Sequence, residues 1–548
     1  MKVLGVNAVF HDPAAALVVD GEIVAAAEEE RFNRRKHGKP PVAFSTWELP
    51  EQAARWCLEH AGLTPAELDA VAYSYDPSLA PPTTDVLDEL WEGLRTLYVE
   101  RAPRFLQTAL PGLDQDVVRF VPHHVAHAAS AYAAAGWRTC ATLVLDGRGE
   151  SASHLAGHVR GGRLEVLAAQ RLPHSLGLVY EELTAHLGFR RASDEYKVMA
   201  LASYGRPRFV EALRAVMYTT GDGGFHARSP DWRAFGPDAD ADLAASVQQR
   251  VEEMLLELAS WLQAQTGEQR LALAGGVALN CVANARLYAE GPFDEVWVQP
   301  AAGDAGTALG AALHVASQLG DRTRPMHTAA LGRSWSEEEL GHWLSGAGVA
   351  FERVDDIAAV VADELAQDGI VAWFQGRSEF GPRALGHRSL LADPRRADNT
   401  ERLNEVKGRE QFRPVAPMVL EERAAEVFRG RLPSPHMLFT HAVAPEWRER
   451  IPAVVHVDGS ARIQTVSADD EPLMARVLEE FDARTGVPVV VNTSLNTAGR
   501  PMADDPRDAL ECFGSAPIDL LAIGPFVVRR RRPSARVERT FEPTPALV

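Results

Sequence analysis

The stretch KVLGVNAVFHDPAAALVVDGEIVAAAE, residues 2–28, decides the fold. Val3, Leu4 and Val6 lie in a short apolar run that ends at Asn7 and the turn-forming His11-Asp12-Pro13, which predicts a strand over Lys2–Asn7. A second apolar run at 15–19 is followed by Asp20-Gly21, the pair that a tight hairpin requires, so a third strand is expected at 23–27. Further along, 140–145, 271–274 and 296–298 read as buried strands. Each runs into a polar or glycine turn: Asp146-Gly147-Arg148-Gly149, Gly275-Gly276-Val277 and the 300–306 segment around Asp304. The second turn leads into a helix expected over 278–287, and the third into an Ala/Gly-rich helix. Open α/β sheets bind ligands at the carboxyl ends of their strands, where these turns fall.

The strand, turn, strand, hairpin, strand opening is also how actin-like and sugar-kinase-like ATP-binding folds begin. Residues 320–335 carry few periodic apolar side chains and read as a linker between two blocks, 1–330 and 331–548. Ser336 followed by three glutamates starts a capped helix. The second block is again α/β, with strands expected at 370–374, 489–491 and 520–523. The tail from Arg529 is expected to be loosely ordered. No internal sequence repeat is visible.

Bulk composition excludes several classes. With 548 residues, 46% of them hydrophobic and 24% charged, the chain is long enough for more than one globular domain. A formal charge of -19 argues against a nucleic-acid footprint. No signal peptide or membrane-spanning run is read. Four scattered cysteines form neither a disulfide frame nor a thiolate metal cage, so a cytoplasmic protein is expected. The oligomeric state is left between monomer and homodimer.

VPHHVAHAASAY, residues 121–132, is an Ala-rich helix candidate that places His123 and His127 at i and i+4 on one face. HxxxH alone is commonly structural. Asp146 and Asp304, each following a strand on the ligand edge, give it carboxylate partners. Such a His2Asp2 set suits Fe(II), Mn(II) or Zn(II). The plain alternative for Asp304 is a helix N-cap. Gly275, Gly276 and Val277 let a phosphate approach the backbone before a helix N-terminus, or simply make a tight turn. Asn280 and Asn284 line the same cleft or face water.

The second block carries cations unexpected in so acidic a chain. Arg383 and Arg388 lie in GPRALGHRSLLADPR (381–395), and Lys407 and Arg409 precede FRPVAP (412–417), which holds Arg413. Arg462 lies in ARIQTV (461–466) and Ser494 in VNTSLN (491–496). Guanidinium forks match a phosphate dianion, and hydroxyl and amide groups orient the rest of a small ligand.

With these motifs go VLGVNAVFHDPAAALVVDGEIVAAAEEERF (3–32), RKHG (35–38), LVLDGRGE (143–150), KVMALASYG (197–205), AGGVALN (274–280) and GDAGTALGAA (303–312). Together they resemble the antibiotic and nodulation-factor O-carbamoyltransferases of the tobramycin, cephamycin and ansamycin types, over nearly the whole chain. The resemblance implies an actin-like (ASKHA) N-terminal domain joined to a YrdC-like α/β C-terminal domain. It implies carbamoyl phosphate as donor, ATP with Mg(II) as co-substrate, carbamoyl-adenylate as intermediate and a small-molecule alcohol as acceptor. By motif match, His123, His127, Asp146 and Asp304 hold Fe(II), and His11 and Lys36 contact the carbamoyl end. Arg383, Lys407, Arg413, Arg462 and Ser494 bind carbamoyl phosphate, while Gly275, Gly276, Val277 and Asn280 form the nucleotide loop. Val415 stands where the family often has an aromatic residue. A tRNA threonylcarbamoyl-transfer-like metalloenzyme is the alternative, opposed by the acidic charge and the fused second block. Segments 77–116, 218–244 and 428–447 match no motif and are expected to shape the acceptor pocket.

Overall fold

The computed structural model describes residues 1–38, 49–81, 89–236 and 238–530. Its first sheet lines up Glu22–Glu28, Ala14–Val19, Lys2–Asn7, Ala70–Tyr73 and Val118–Phe120. The first three strands are antiparallel neighbours and the last three parallel. A second five-stranded sheet lines up Arg163–Arg171, Ala152–Arg160, Cys140–Leu145, Arg270–Ala274 and Glu295–Val298. Its pairing senses are the same. Numbered within each sheet by chain order, both run 3-2-1-4-5. The chain thus contains a topological duplication that its sequence does not display as a repeat. Hydrophobic pattern sets strand order and burial, and many different side chains satisfy it.

The helices Ala305–Gln318 and His123–Tyr132 are packed in a layer of alanines and small aliphatics with the inner faces of the two sheets. They meet closely at Gly310, where an added Cβ would lie 1.8 Å from the carbonyl oxygen of Ala126. That contact brings the start of one helix, at Asp304, beside the two histidines of the other.

The remainder builds an eight-stranded mixed sheet. In spatial order its strands are Glu352–Arg353, Phe526–Arg529, Leu520–Ile523, Val371–Phe374, Arg388–Ala392, Val489–Ser494, Ala416–Leu420 and Gln464–Val466. One large core, including Trp373, Phe374 and Phe481, fills it. A small sheet of Phe428–Arg429, Thr440–Val443 and Ser460–Arg462 flanks it. Ser336 caps Glu337–Gly346 reciprocally with Glu339, as the sequence predicts.

Several local expectations shift. The helix read over 278–287 begins at Cys281, because Gly276–Leu279 forms a tighter 3-10 turn first. The 320–335 segment has no regular structure but is tied down at both ends: Arg324 N–H donates to Gly21 O, Met326 N–H to Ala134 O and Ala26 N–H to Leu331 O. Arg529 ends a paired strand, and the rest of the tail from 531 lies outside the described residues. Segment 428–447 reaches back to the helix Cys281–Glu290, with Asn284 donating to Leu438 O and Arg431 to Phe293 O and Asp294 O.

The eight-stranded part is clamped to the first sheet. Glu28 accepts the Gly381 N–H at 2.8 Å while Arg31 donates to Gly381 O at 2.9 Å. Arg34 donates to the carbonyls of Pro501 and Met502, and its Nε lies 2.9 Å from Asp508.

Candidate functional site: a His-Asp cluster facing a basic pocket

His123, His127, Asp146 and Asp304 converge, each offering an atom within 4.8 Å of the others, and all four are buried. Nε2 of His123 lies 3.5 Å from both carboxylates, and Nε2 of His127 lies 3.7 Å from Asp146 and 3.6 Å from Asp304. Groups around the cluster set its orientation. His123 Nδ1 is 3.2 Å from Ser74 O, a carbonyl that only accepts, so Nδ1 carries a proton, and in the neutral imidazole Nε2 presents the lone pair. The His123 backbone N–H donates to Glu150. Gly276 N–H donates to Asp146 Oδ1, leaving Oδ2 toward the imidazoles. Asp304 stands at a helix N-cap position yet makes no side-chain cap bond, so the plain capping role is not the one it fills.

The Nε2 atoms of both histidines have no hydrogen-bond partner. Two buried carboxylates carry two negative charges that the interior tolerates only with compensation. Burial works against imidazolium, yet Asp146 and Asp304 raise His123 well above its ordinary pKa; burial also opposes ionised Asp304, but His11 and His123 hold it well below the usual range. The set demands two positive charges, from two protons or from one divalent cation. N and O donors with this spacing fit such an ion.

His11 stands beside this cluster, its Nε2 3.9 Å from Asp304. Burial opposes its charge, but Asp304 and then Asp12 raise its pKa to about 10. It is a proton donor while those carboxylates keep their charge. Asp12 bridges His11 Nδ1 at 2.8 Å and His37 Nδ1 at 2.9 Å. Asp12 and His37 both have left-handed backbones, with φ 49° and 66°. Neither residue was singled out from the sequence; the signal was their place inside the FHDP and RKHG motifs. Lys36 Nζ lies 5.7 Å from the ring centre of Tyr196.

Gly275 makes the turn possible. Its φ is 94°, and a Cβ there would lie 2.2 Å from Leu145 O. Asn280 caps the following helix through Ala283 N–H and pairs with Gln248 through both amide atoms, so its side chain is engaged structurally. Val277 packs at the edge of the neighbouring core.

The far end of this turn meets the second block's cations. Arg383 approaches Leu279 O at 3.5 Å, and Arg462 lies near Cys281. Arg413 stacks on Tyr196, 4.5 Å from its ring centre. Lys407 donates to Ser494 O at 2.6 Å, Ser494 Oγ at 2.9 Å and the Asn496 side chain. Burial and then Arg462 bring Arg383 down to about 9, while burial and then Arg413 bring Arg409 down to about 9. Lys407 is lowered well below its usual value by burial and Arg409. Cations crowded together in this way, with Lys407 buried, destabilise one another, a cost that a nearby anion would relieve. Arg388 is different: it donates to the Gln375, His387, Arg333 and Gly376 carbonyls, a structural role.

Two family models match: carbamoyltransferase N-terminus over 2–234 and 225–313, and carbamoyltransferase C-terminus over 362–530. The chain is 35% identical to an uncharacterised protein of Synechocystis sp., covering 96% of each. It is 38% identical to nodulation protein NolNO of Sinorhizobium fredii, covering 96% of this chain and 80% of that protein. Among solved structures, component A of the Acidaminococcus fermentans (R)-2-hydroxyglutaryl-CoA dehydratase aligns with a TM-score of 0.34 at 14% identity, over 57% of this chain and 97% of that one. HypF of T. kodakarensis aligns with a TM-score of 0.32 at 16% identity, over 58% and 48%. No helix among the described residues is long and apolar enough to cross a membrane.

Proposed function

The chain belongs to the carbamoyltransferase family, and from that premise we propose that it moves a carbamoyl group from carbamoyl phosphate, by way of ATP, onto a hydroxyl of a small-molecule natural product. The observation that carries this reading is the shared turn. Gly276 at its start holds Asp146, and Leu279 at its end meets Arg383, with Arg462 near by at Cys281. A cation-demanding cluster and an anion-demanding pocket thus flank one glycine turn of the kind that accommodates nucleotide phosphates.

In this scheme residues 331–548, a YrdC-like domain, take carbamoyl phosphate. Arg383, Arg413 and Arg462 grip the phosphate, with Lys407 held ready by Ser494. Water splits the donor into carbamate and phosphate. Carbamate oxygen then attacks the α-phosphorus of ATP, accompanied by Mg(II), and pyrophosphate leaves carbamoyl-adenylate. The Gly275–Val277 turn, where two residues carry no Cβ, lets the nucleotide phosphates approach the backbone, while the Gly275 and Gly276 N–H groups stay with Ala302 O and Asp146. In residues 1–330, an actin-like domain, the acceptor hydroxyl attacks the carbamoyl carbon and AMP leaves. Lys36 supplies positive charge near the carbonyl oxygen, and His11, in its neutral form, takes the proton that the acceptor hydroxyl loses as AMP leaves. A divalent ion held by His123, His127, Asp146 and Asp304, read as Fe(II), supplies Lewis acidity there when bound. Passing carbamate between facing sites protects an unstable species from water. A cytoplasmic setting accompanies this scheme. The test is mass spectrometry of candidate alcohols incubated with enzyme, carbamoyl phosphate and ATP. A carbamoyl mass increment dependent on both co-substrates is expected; an increment without ATP overturns the adenylate route.

A further inference from the structure

Tyr196 and Lys197 are neighbours in the helix Glu195–Ala202 of the N-terminal half, and both reach into the C-terminal basic pocket. Lys197 Nζ binds Glu410 at 2.7 Å and Asp194 at 3.0 Å. Arg413 approaches the other oxygen of that same Glu410 at 3.5 Å, the longer of the two contacts. Lys197 is therefore the closer partner of Glu410, and Arg413 the more distant one. What fixes the Arg413 guanidinium is the Tyr196 ring, whose edge is in turn held by its hydroxyl, 3.3 Å from Asp194. Lys36 stands over the same ring.

We propose that Tyr196 is a positioning residue of the basic pocket, so that the N-terminal half completes an anion site whose charges come from the C-terminal half. The inference rests on reading that pocket as the carbamoyl phosphate site. Tyr196 touches no reacting atom; it acts through Arg413.

The test uses the full chain and inorganic phosphate as probe, measured by calorimetry, with the melting temperature as a check on folding. Phosphate affinity should stay within about twofold in Tyr196→Phe, which keeps the ring, and fall about tenfold in Tyr196→Leu, which does not. Tyr196→Met serves as a second ring-less variant if the leucine variant melts early. Tyr196→Leu/Arg413→Ala should bind no more weakly than Arg413→Ala alone, because both changes remove one interaction. In phosphate release from carbamoyl phosphate, the leucine variant should raise KM and leave kcat within about twofold. A ring-less variant that binds like wild type, or a double variant that loses the product of the two single effects, overturns the inference. A wild-type chain that binds no phosphate overturns the pocket itself, and the inference with it.

Discussion

Gly276 donates its backbone N–H to Oδ1 of Asp146 at 2.8 Å, so the glycine turn orients a carboxylate of the His-Asp cluster. With Oδ1 taken, Oδ2 is the atom that faces His123 and His127. On the opposite side, Ser74 O fixes the His123 tautomer. A cluster oriented from several elements at once is built before any ligand arrives, which keeps the cost of binding low.

Replacing His123 and His127 together by Ala should therefore remove a bound divalent ion, about one per chain, while leaving the fold intact. Elemental analysis after dialysis, beside circular dichroism, checks this. Equal metal in wild type and variant would contradict the ligand assignment.

Anion binding and stability should oppose each other in the basic pocket. Arg462 is lowered from its ordinary pKa by burial and by Arg413, and its Nε has no partner. Arg462→Met should raise anion-free stability by about 1–2 kcal/mol, since an uncompensated charge gives way to an apolar chain of similar length. The same variant should lose most of the stabilisation that added phosphate gives wild type. Melting temperatures with and without phosphate measure both effects. A variant less stable in both conditions would show that Arg462 is structural.

Much of this was legible in the sequence, for particular physical reasons. The strands Lys2–Asn7 and Cys140–Leu145 fall where uninterrupted apolar runs meet polar turns, and the i, i+4 histidines converge because an Ala-rich run is helical. The duplication of sheet order was not legible, because it resides in pairing rather than in residue identity. The meeting of Arg383 and Arg462 with the 275–281 turn was also invisible: those arginines lie more than a hundred residues away from it. Asn280 reads as a cleft residue, yet its amide is used by a helix cap and Gln248, a choice that depends on a helix far off in sequence.

Glu28 predicts a pH effect at the junction of the two halves. Burial, with Glu30 adding to it and Arg31 opposing it, raises its pKa to about 7 from 4.5, and its Oε2 has no partner. Because the folded value is the higher one, the stability Glu28 contributes is complete below 4.5 and is lost as pH rises through about 7. Glu28→Gln keeps an acceptor for Gly381 without the charge. It should equal wild type at pH 5 and exceed it at pH 8 by roughly 1–3 kcal/mol. Melting curves of both proteins from pH 5 to 8 decide this, and parallel curves would contradict it.

The central claim, that a phosphate-release site and a transfer site divide the chemistry across the 275–281 turn, is tested most directly by separating the two steps. Phosphate release from carbamoyl phosphate is measured beside the acceptor mass increment in variants of His11, Lys36, His127, Lys407 and Arg462. The account predicts that the first three still release phosphate but transfer nothing. The last two should lose both steps, and recover transfer when carbamoyl-adenylate is supplied. Loss of phosphate release in the His11, Lys36 or His127 variants, or failure of the supplied adenylate to restore transfer in the other two, would contradict it.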